Sequence, residues 1–260
     1  MKIQPQSSIF NKIENTTNKL NQQLASGKRV NSAADDAAAL QIIDRLTSQQ
    51  DGYSQAIRNA NDGISYAQTA DSALSGVNDA VSRIRELSIQ SGNGALTDSD
   101  RAALQDEVSQ LQTQISETFE NSTFGGAKLF NGEDTSFQVG PDALTTQTLT
   151  QTDGSFANAI LSVDISTAAG AQAAIDVADT VAEDLNSQRT QLGAFENAIS
   201  STIRSADNQR ENIAASQSRI QDTDYAKVVS EQTANDILSQ ASIALRGQAN
   251  QSASAVLGLL

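Results

Sequence analysis

From Leu185 to Ile220 an apolar or small residue returns at every seventh position, through Leu192, Ile199, Ala206 and Ile213, without a slip. Val181, Phe195 and Ile203 flank the series. This unbroken heptad run constrains the chain more than any other feature. The segment must be a long helix whose narrow apolar seam lies against another helix. A matching candidate starts at Ile42, where small and apolar residues recur by seven through Leu46, Tyr53, Ala60, Ala67, Leu74 and Val81, with Ile43, Ile57, Ile64, Val77 and Ile84 completing the stripe. That spacing predicts a helix of roughly 45 residues, about 70 Å long. Gly52, Gly63 and Gly76 each cost such a helix about 1 kcal/mol against Ala, and are expected where another helix comes close.

The stretches between these helices carry clear breaks. "SGNGALTDSD", Ser91 to Asp100, ends the first long helix with two glycines and offers Thr97 or Asp98 as the next N-cap. Leu104, Val108, Leu111, Ile115 and Phe119 then draw the stripe of a second helix, which "STFGGAKLFNG" ends. Between about residues 124 and 170 the short segments "TSFQVG", "TTQTLTQT" and "AILSVDI" are β-prone and separated by turn formers, which predicts a small β-hairpin region. Asp222-Thr223-Asp224 interrupts the heptads, and a last helix restarts with Ala234, Leu238, Ala241 and Leu245 on one face. The first helix has its own stripe at Ile13, Thr17, Leu20 and Leu24. The order is nearly palindromic, and folding it back buries the most seams. The expected fold class is mainly α: a long antiparallel helical bundle or coiled coil with a small central hairpin region and paired N- and C-terminal helices. A short terminal pair with narrow stripes is marginal by itself and invites neighbours.

Composition narrows the chemistry. With no cysteine and no histidine, disulfides, thiolate catalysis, imidazole metal sites and the usual general bases are ruled out. No catalytic, cofactor-binding or metal-ligating residues are assigned, and no enzyme activity is expected. A net charge of -14 opposes binding to nucleic acid or an anionic membrane, and no apolar run approaches the roughly 18 residues of a membrane span. The start, MKIQPQSSIFNKI, lacks the pattern of a cleaved signal peptide. Aromatic residues make up 4% of the chain, so a thick globular core is not expected. Lys2, Lys12, Lys19, Lys28 and Arg29 crowd the first thirty residues against one acid, Glu14, while Asp222, Asp224, Glu231 and Asp236 lie near the other end. The two ends are therefore expected to attract.

Two motifs look chemical at first sight. Asp35 and Asp36 within "LASGKRVNSAADDAAAL" resemble paired carboxylates, but neighbours on a helix point about 100° apart and do not converge. Charges that start or flank a helix are the better reading. Gly125-Gly126 and Gly92/Gly94 lack the strand before and the Lys-Ser/Thr after that a phosphate loop needs, and read as turns. At the C-terminus Val256, Leu257, Leu259 and Leu260 form an apolar cluster. Water would penalise each exposed side chain by roughly 1.5 to 3 kcal/mol, which points to burial in an assembly.

As a set, these blocks resemble bacterial flagellins. "LASGKRVNSAADDAAAL", "RNANDGISYAQTADSAL", "RIRELSIQ", "FGGAKLFNG", "FQVG", "SRIQDTDYAKVVSE" and "ILSQASIALRGQANQSASAVLGLL" occur in family order and cover almost all of residues 10–130 and 172–260. The resemblance implies a structural subunit that polymerises into the filament of a bacterial flagellum for motility, outside the cell, after type III export without a cleaved signal peptide. It implies an inner terminal coiled-coil domain, residues 1–35 plus 225–260, carrying Ile13, Leu20, Leu24, Leu238, Leu245, Val256, Leu257 and Leu260. An outer helical domain would span residues 36–224, with no large outer domains beyond it. Lys28, Arg29, Asp222 and Asp224 would form the spoke between the two, their charges pairing. The partners implied are other copies of the chain, an export chaperone, the filament cap and hook-junction proteins. Where family members are recognised by an animal innate immune receptor, the matching residues are Arg83, Leu87, Gln90 and Glu107.

The sequence leaves two alternatives: a hook-filament junction protein, which shares the terminal design, and a generic coiled-coil scaffold. A flagellin carrying a central metallopeptidase is excluded, because no histidine is present for its zinc site.

Overall fold

The computed structural model describes residues 4–150 and 154–257. Along the chain run α1 (Gln4–Ser26), α2 (Ala37–Ser91), α3 (Asp98–Asn121), β1 (Thr123–Phe124), β2 (Ala127–Lys128), β3 (Thr135–Gln138) and β4 (Thr146–Leu149). A 3-10 turn at Ser155–Ala157 then leads into α4 (Asn158–Leu161), α5 (Ala168–Gln221) and α6 (Tyr225–Leu257). Two compact units emerge: one from Met1–Asp51 and Arg210–Leu260, the other from Gly52–Gln209. Helices α2 and α5 contribute to both. The mainly helical class with paired terminal helices is as the heptads predict.

Helix α2 is 55 residues long, longer than its stripe alone indicated, because Asp36 caps it. The Asp36 carboxylate accepts the Ala39 backbone N–H at 2.9 Å, meeting one of the four amides that a helix start leaves free. Helix α3 begins at a capping box: the Thr97 hydroxyl accepts the Asp100 N–H, and the Asp100 carboxylate accepts the Thr97 N–H.

In the Gly52–Gln209 unit the core is built from heptad residues. Ala60, Ala67, Leu74 and Val81 of α2 are buried with Val108 and Ile115 of α3 and Val181, Leu185, Leu192 and Ile199 of α5. Aromatic side chains pack against the same core. Tyr66 meets Phe124 and Phe137 edge to face at 5.5 and 5.7 Å, and Phe119 meets Phe130 and Phe156 at 5.2 and 5.8 Å. Ion pairs brace the helices from outside, Arg85 to Asp179 and Arg189 to Asp71 joining α2 and α5.

Of two hairpins, β3–β4 forms from the β-prone segments "TSFQVG" and "TTQTLTQT", and β1–β2 forms within "STFGGAKLFNG", read from the sequence only as the stretch that ends the helix. β1 and β2 pair through Gly125-Gly126, both at positive φ, a conformation that favours glycine. β3 and β4 pair with Phe137 opposite Gln147 and Thr135 opposite Leu149, while Ser136 and Thr148 join hydroxyls on the other face. The third β-prone segment, "AILSVDI", is not a strand. It is the single turn α4 followed by irregular chain, and it sends Ile160 and Ile165 into the core. Side chains satisfy its backbone in place of a neighbouring strand: Gln112 donates to the carbonyls of Ile160 and Val163, Ser91 donates to the Ile165 carbonyl, and Gln105 accepts the Ile165 N–H.

Of the three α2 glycines, Gly63 lies against another helix as expected, and Gly52 and Gly76 do not. A methyl at Gly52 would stand 2.8 Å from Pro141 Cβ of the β3–β4 loop, so the close neighbour is a hairpin and not a helix. At Gly63 it would stand 2.9 Å from Ile199 of α5 and 3.2 Å from Phe137. Gly76 has open space.

Candidate assembly surface

In the unit formed by the two chain ends, α1 stops at Gly27, whose φ of +69° turns the chain out of the helix while its N–H still reaches the Gln23 carbonyl. The next residues meet the α5–α6 connection. Lys28 and Asp222 face each other in an antiparallel bridge, the Arg29 N–H donates to the Gln221 carbonyl at 2.6 Å, and the Thr223 N–H donates to the Gly27 carbonyl at 3.0 Å. Val30 then closes a small core with Ala39 and Ile43, against Leu40 and Ile220.

Of the four charged residues assigned to this joint, Lys28 and Asp222 face each other through their main chains, and the side chains of Arg29, Asp222 and Asp224 find other partners. The Arg29 guanidinium donates to the Ile220 carbonyl, the Asp222 carboxylate accepts the Ser218 hydroxyl, and Asp224 caps α6 by accepting the N–H groups of Ala226 and Lys227. Backbone groups make the join because both segments run extended side by side, and the carboxylates are occupied by helix ends nearer to them. Asp35 has a separate task. It accepts the N–H groups of Asn31 and Ser32 and pairs with Lys19 at 3.0 Å, and the Lys19 hydrogen bond, chiefly, holds its carboxyl below the usual range.

Helices α1 and α6 pack together antiparallel, and amides span the seam where charges were expected. Asn235 donates to the Ile13 carbonyl and the Thr17 hydroxyl, Gln232 donates to the Asn21 side-chain carbonyl, and the Tyr225 hydroxyl donates to the Leu24 carbonyl. On α1 Leu20 is buried and Ile13 and Leu24 are half-buried. On α6 the covered residues are Val228 and Asn235, with Gln232, Ser239 and Ser242 half-buried.

That pattern corrects the α6 stripe. Leu238 and Leu245 do not lie in the seam: they stand 58% and 67% exposed, with Ile237 at 61% and Ile243 at 57%. At 3.6 residues per turn they sit roughly a quarter turn round from the covered face. The residues missed were Asn235 and its polar neighbours, whose signal, Val228, Gln232, Asn235, Ser239 and Ser242 at alternating steps of four and three, is helical but not apolar. Val256, Leu257 and Leu260 lie outside the residues whose side chains are described.

In the other unit, Arg83 makes ion pairs with Glu107 at 2.8 Å and Glu86 at 3.0 Å, which raise the guanidinium's affinity for its proton, Glu107 foremost. Gln90 is exposed beside Ile89, itself 52% exposed. Leu87, grouped with them on the sequence, is 1% exposed and belongs to the core, one turn from Ile84. Among the described residues no group of three or more acidic side chains is placed to hold a metal ion, and no helix is long and apolar enough to cross a membrane.

Comparison with known proteins gives one consistent result. Residues 2–135 match the bacterial flagellin N-terminal helical region, and residues 175–260 match the bacterial flagellin C-terminal helical region. A flagellin of Halalkalibacterium halodurans is 40% identical across 95% of this chain and 92% of the relative. Flagellin B of Vibrio anguillarum is 32% identical over an alignment of 358 residues, covering 96% of this chain and 95% of the relative. Among solved structures, Bacillus cereus flagellin superposes with a TM-score of 0.53 at 25% identity, over 62% of this chain and 94% of that one. A putative flagellar hook-associated protein from Vibrio parahaemolyticus superposes with a TM-score of 0.66 at 16% identity, over 72% of this chain and all of that one, a likeness of fold. With both helical regions matched in order and relatives this similar over nearly the whole length, the chain belongs to the bacterial flagellin family.

Proposed function

We propose that this chain is the structural subunit of a bacterial flagellar filament, outside the cell, and that the α1–α6 pair is the surface on which copies assemble. The observation that carries the reading is the set of apolar residues that α6 turns outward, Ile237, Leu238, Ile243 and Leu245, each more than half exposed. A single exposed leucine needs no explanation, whereas four apolar residues spread round α6 outside its polar seam, with Leu238 and Leu245 on one face, suit a helix that neighbours surround. Another copy is the partner that a filament supplies. In this reading residues 1–35 and 225–260 form the inner layer, residues 36–224 the outer one, and Lys28, Arg29, Asp222 and Asp224 sit in the joint. Export through the flagellum's own apparatus, an export chaperone, a filament cap and hook-junction proteins follow from the same assignment.

The test is growth of purified full-length chain on filament seeds, imaged by electron microscopy. Long helical filaments are expected. A short oligomer that stops growing would favour a junction protein, and a discrete dimer would favour a coiled-coil scaffold.

A second reading concerns the face carrying Arg83, Gln90 and Glu107, where the exposed ion pair and Ile89 offer a contact for an animal innate immune receptor; Leu87 would support that face from within. An Arg83→Ala subunit that keeps its helix content is expected to signal less, and unchanged signalling would count against this reading.

A further inference from the structure

The corner between α2 and α3 holds a buried cation that no carboxylate binds. Arg101, in the first turn of α3, is 7% exposed, and its Nη2 donates to the main-chain carbonyls of Asn93 at 3.0 Å and Leu96 at 3.4 Å. Nη1 is buried and has no acceptor among the described residues. Asp100, its neighbour in sequence, turns its carboxylate onto the hydroxyl and N–H of Thr97 instead. A guanidinium keeps its charge at any ordinary pH, so a buried one matched only by neutral carbonyls polarises the groups it touches.

What it touches is one half of an Asn–Gly step. The Asn93 carbonyl belongs to the peptide whose nitrogen is that of Gly94, and it accepts the Leu96 N–H at 3.2 Å as well as the Arg101 guanidinium. Two donors on that oxygen, one of them cationic, stabilise the amidate left when the Gly94 N–H loses its proton. The other half is the Asn93 side chain. Its Oδ1 accepts the Ala95 N–H at 3.0 Å, an Asx turn that folds the carboxamide over the Gly94 peptide and draws electrons from Cγ. Asn93 and Gly94 are exposed, and a Cβ at Gly94 would stand in open space, so no side chain shields the approach.

We propose that Asn93–Gly94 is a self-deamidating site and that Arg101 drives it. The Gly94 nitrogen, its proton lost to water, bonds to Asn93 Cγ. The Cγ–Nδ2 bond breaks, and the amide nitrogen leaves as ammonia with a proton from water, giving a succinimide. Water then opens either ring carbonyl, leaving aspartate or isoaspartate at position 93. Either product brings a carboxylate into the corner that holds the unmatched guanidinium, and isoaspartate lengthens the main chain of the turn by one carbon.

The chain's other Asn–Gly step, Asn131–Gly132, is an internal reference. It has the same Asx turn, Asn131 Oδ1 accepting the Glu133 N–H at 3.1 Å, and lies outside the contacts of Arg101. Full-length chain is held at neutral pH in heavy-oxygen water, folded or unfolded in urea, and labelled aspartate and isoaspartate at each site are followed by peptide mass spectrometry. Asn93 is expected to deamidate roughly tenfold faster folded than unfolded, less than the hundredfold or more that one oxyanion donor is worth in an enclosed site, because this turn faces water. Arg101→Met should remove that excess and leave Asn131 unchanged, while Arg101→Lys should keep part of it. Hydrogen exchange in the first turn of α3 shows whether the corner persists in each variant. If it does not, the folded-to-unfolded ratio of the unaltered chain carries the test. A ratio below about threefold at Asn93, or an undiminished excess in Arg101→Met with its corner intact, overturns the proposal.

Discussion

Replacing Leu238 and Leu245 together by serine separates folding from assembly. Fully burying a leucine gains roughly 1.5 to 3 kcal/mol, and with 58% and 67% of their surfaces still in water the two have about 2 to 4 kcal/mol outstanding between them. If a neighbouring copy supplies that burial, the loss appears in polymerisation and not in the free subunit. At about 1.4 kcal/mol per decade, the critical concentration should rise roughly 20- to 700-fold. The free subunit should lose no more than about 1 kcal/mol, mainly helix propensity. The critical concentration is read by sedimentation of seeded reactions over a dilution series, and subunit stability by thermal circular dichroism. A rise under about threefold, worth less than roughly 0.7 kcal/mol, would refute the reasoning. So would a loss of subunit stability matching the loss of polymerisation, because the leucines would then be part of the monomer's own fold.

Other substitutions test the parts. Gly27→Ala puts a methyl on a residue at φ +69°, 3.3 Å from the Tyr225 hydroxyl, and should cost about 1 to 2 kcal/mol, read as faster hydrogen exchange through the joint. Thr97→Ala removes one arm of the capping box and should lower stability by about 1 kcal/mol, with exchange rising in the first turn of α3. Ile84→Ala empties a site with no exposed surface and should cost about 2 to 5 kcal/mol in denaturant unfolding. Because the folded Asp35 carboxyl lies below its ordinary 3.8, it adds stability that is full above that value and lost as pH falls through the lower folded one. With no histidine to titrate, the pH profile should stay flat from about 8 to 5 and drop below about 4, and Asp35→Asn should lessen the drop, followed by circular dichroism.

The long helices were legible because their partners lie within the chain. Leu185, Leu192 and Ile199 recur by seven and are buried by residues of α2 and α3 that recur the same way. The α6 stripe misled for the converse reason. Leu238 and Leu245 keep helical spacing, but periodicity reports only that a face is covered, never by what, and the seam chosen by α1 is the polar one. "AILSVDI" misled because β-branched residues suit a strand and also suit a single turn whose carbonyls are met by Gln112. The bonding between Gly27–Arg29 and Gln221–Thr223 was not legible, since Lys28 and Asp222 meet through main-chain groups that composition does not reveal.

The bridge at Lys28 and Asp222 also bears on which α1 an α6 will choose. Both helices leave this bridge within a few residues, so each meets the other as a tethered neighbour, at the millimolar effective concentration of a short connection. A weak, polar seam then suffices inside one chain, while the same seam offered by another copy at micromolar concentration competes poorly. Exchange of terminal helices between subunits, a hazard when many identical chains crowd together, is thereby disfavoured without a strong helix pair to prevent it.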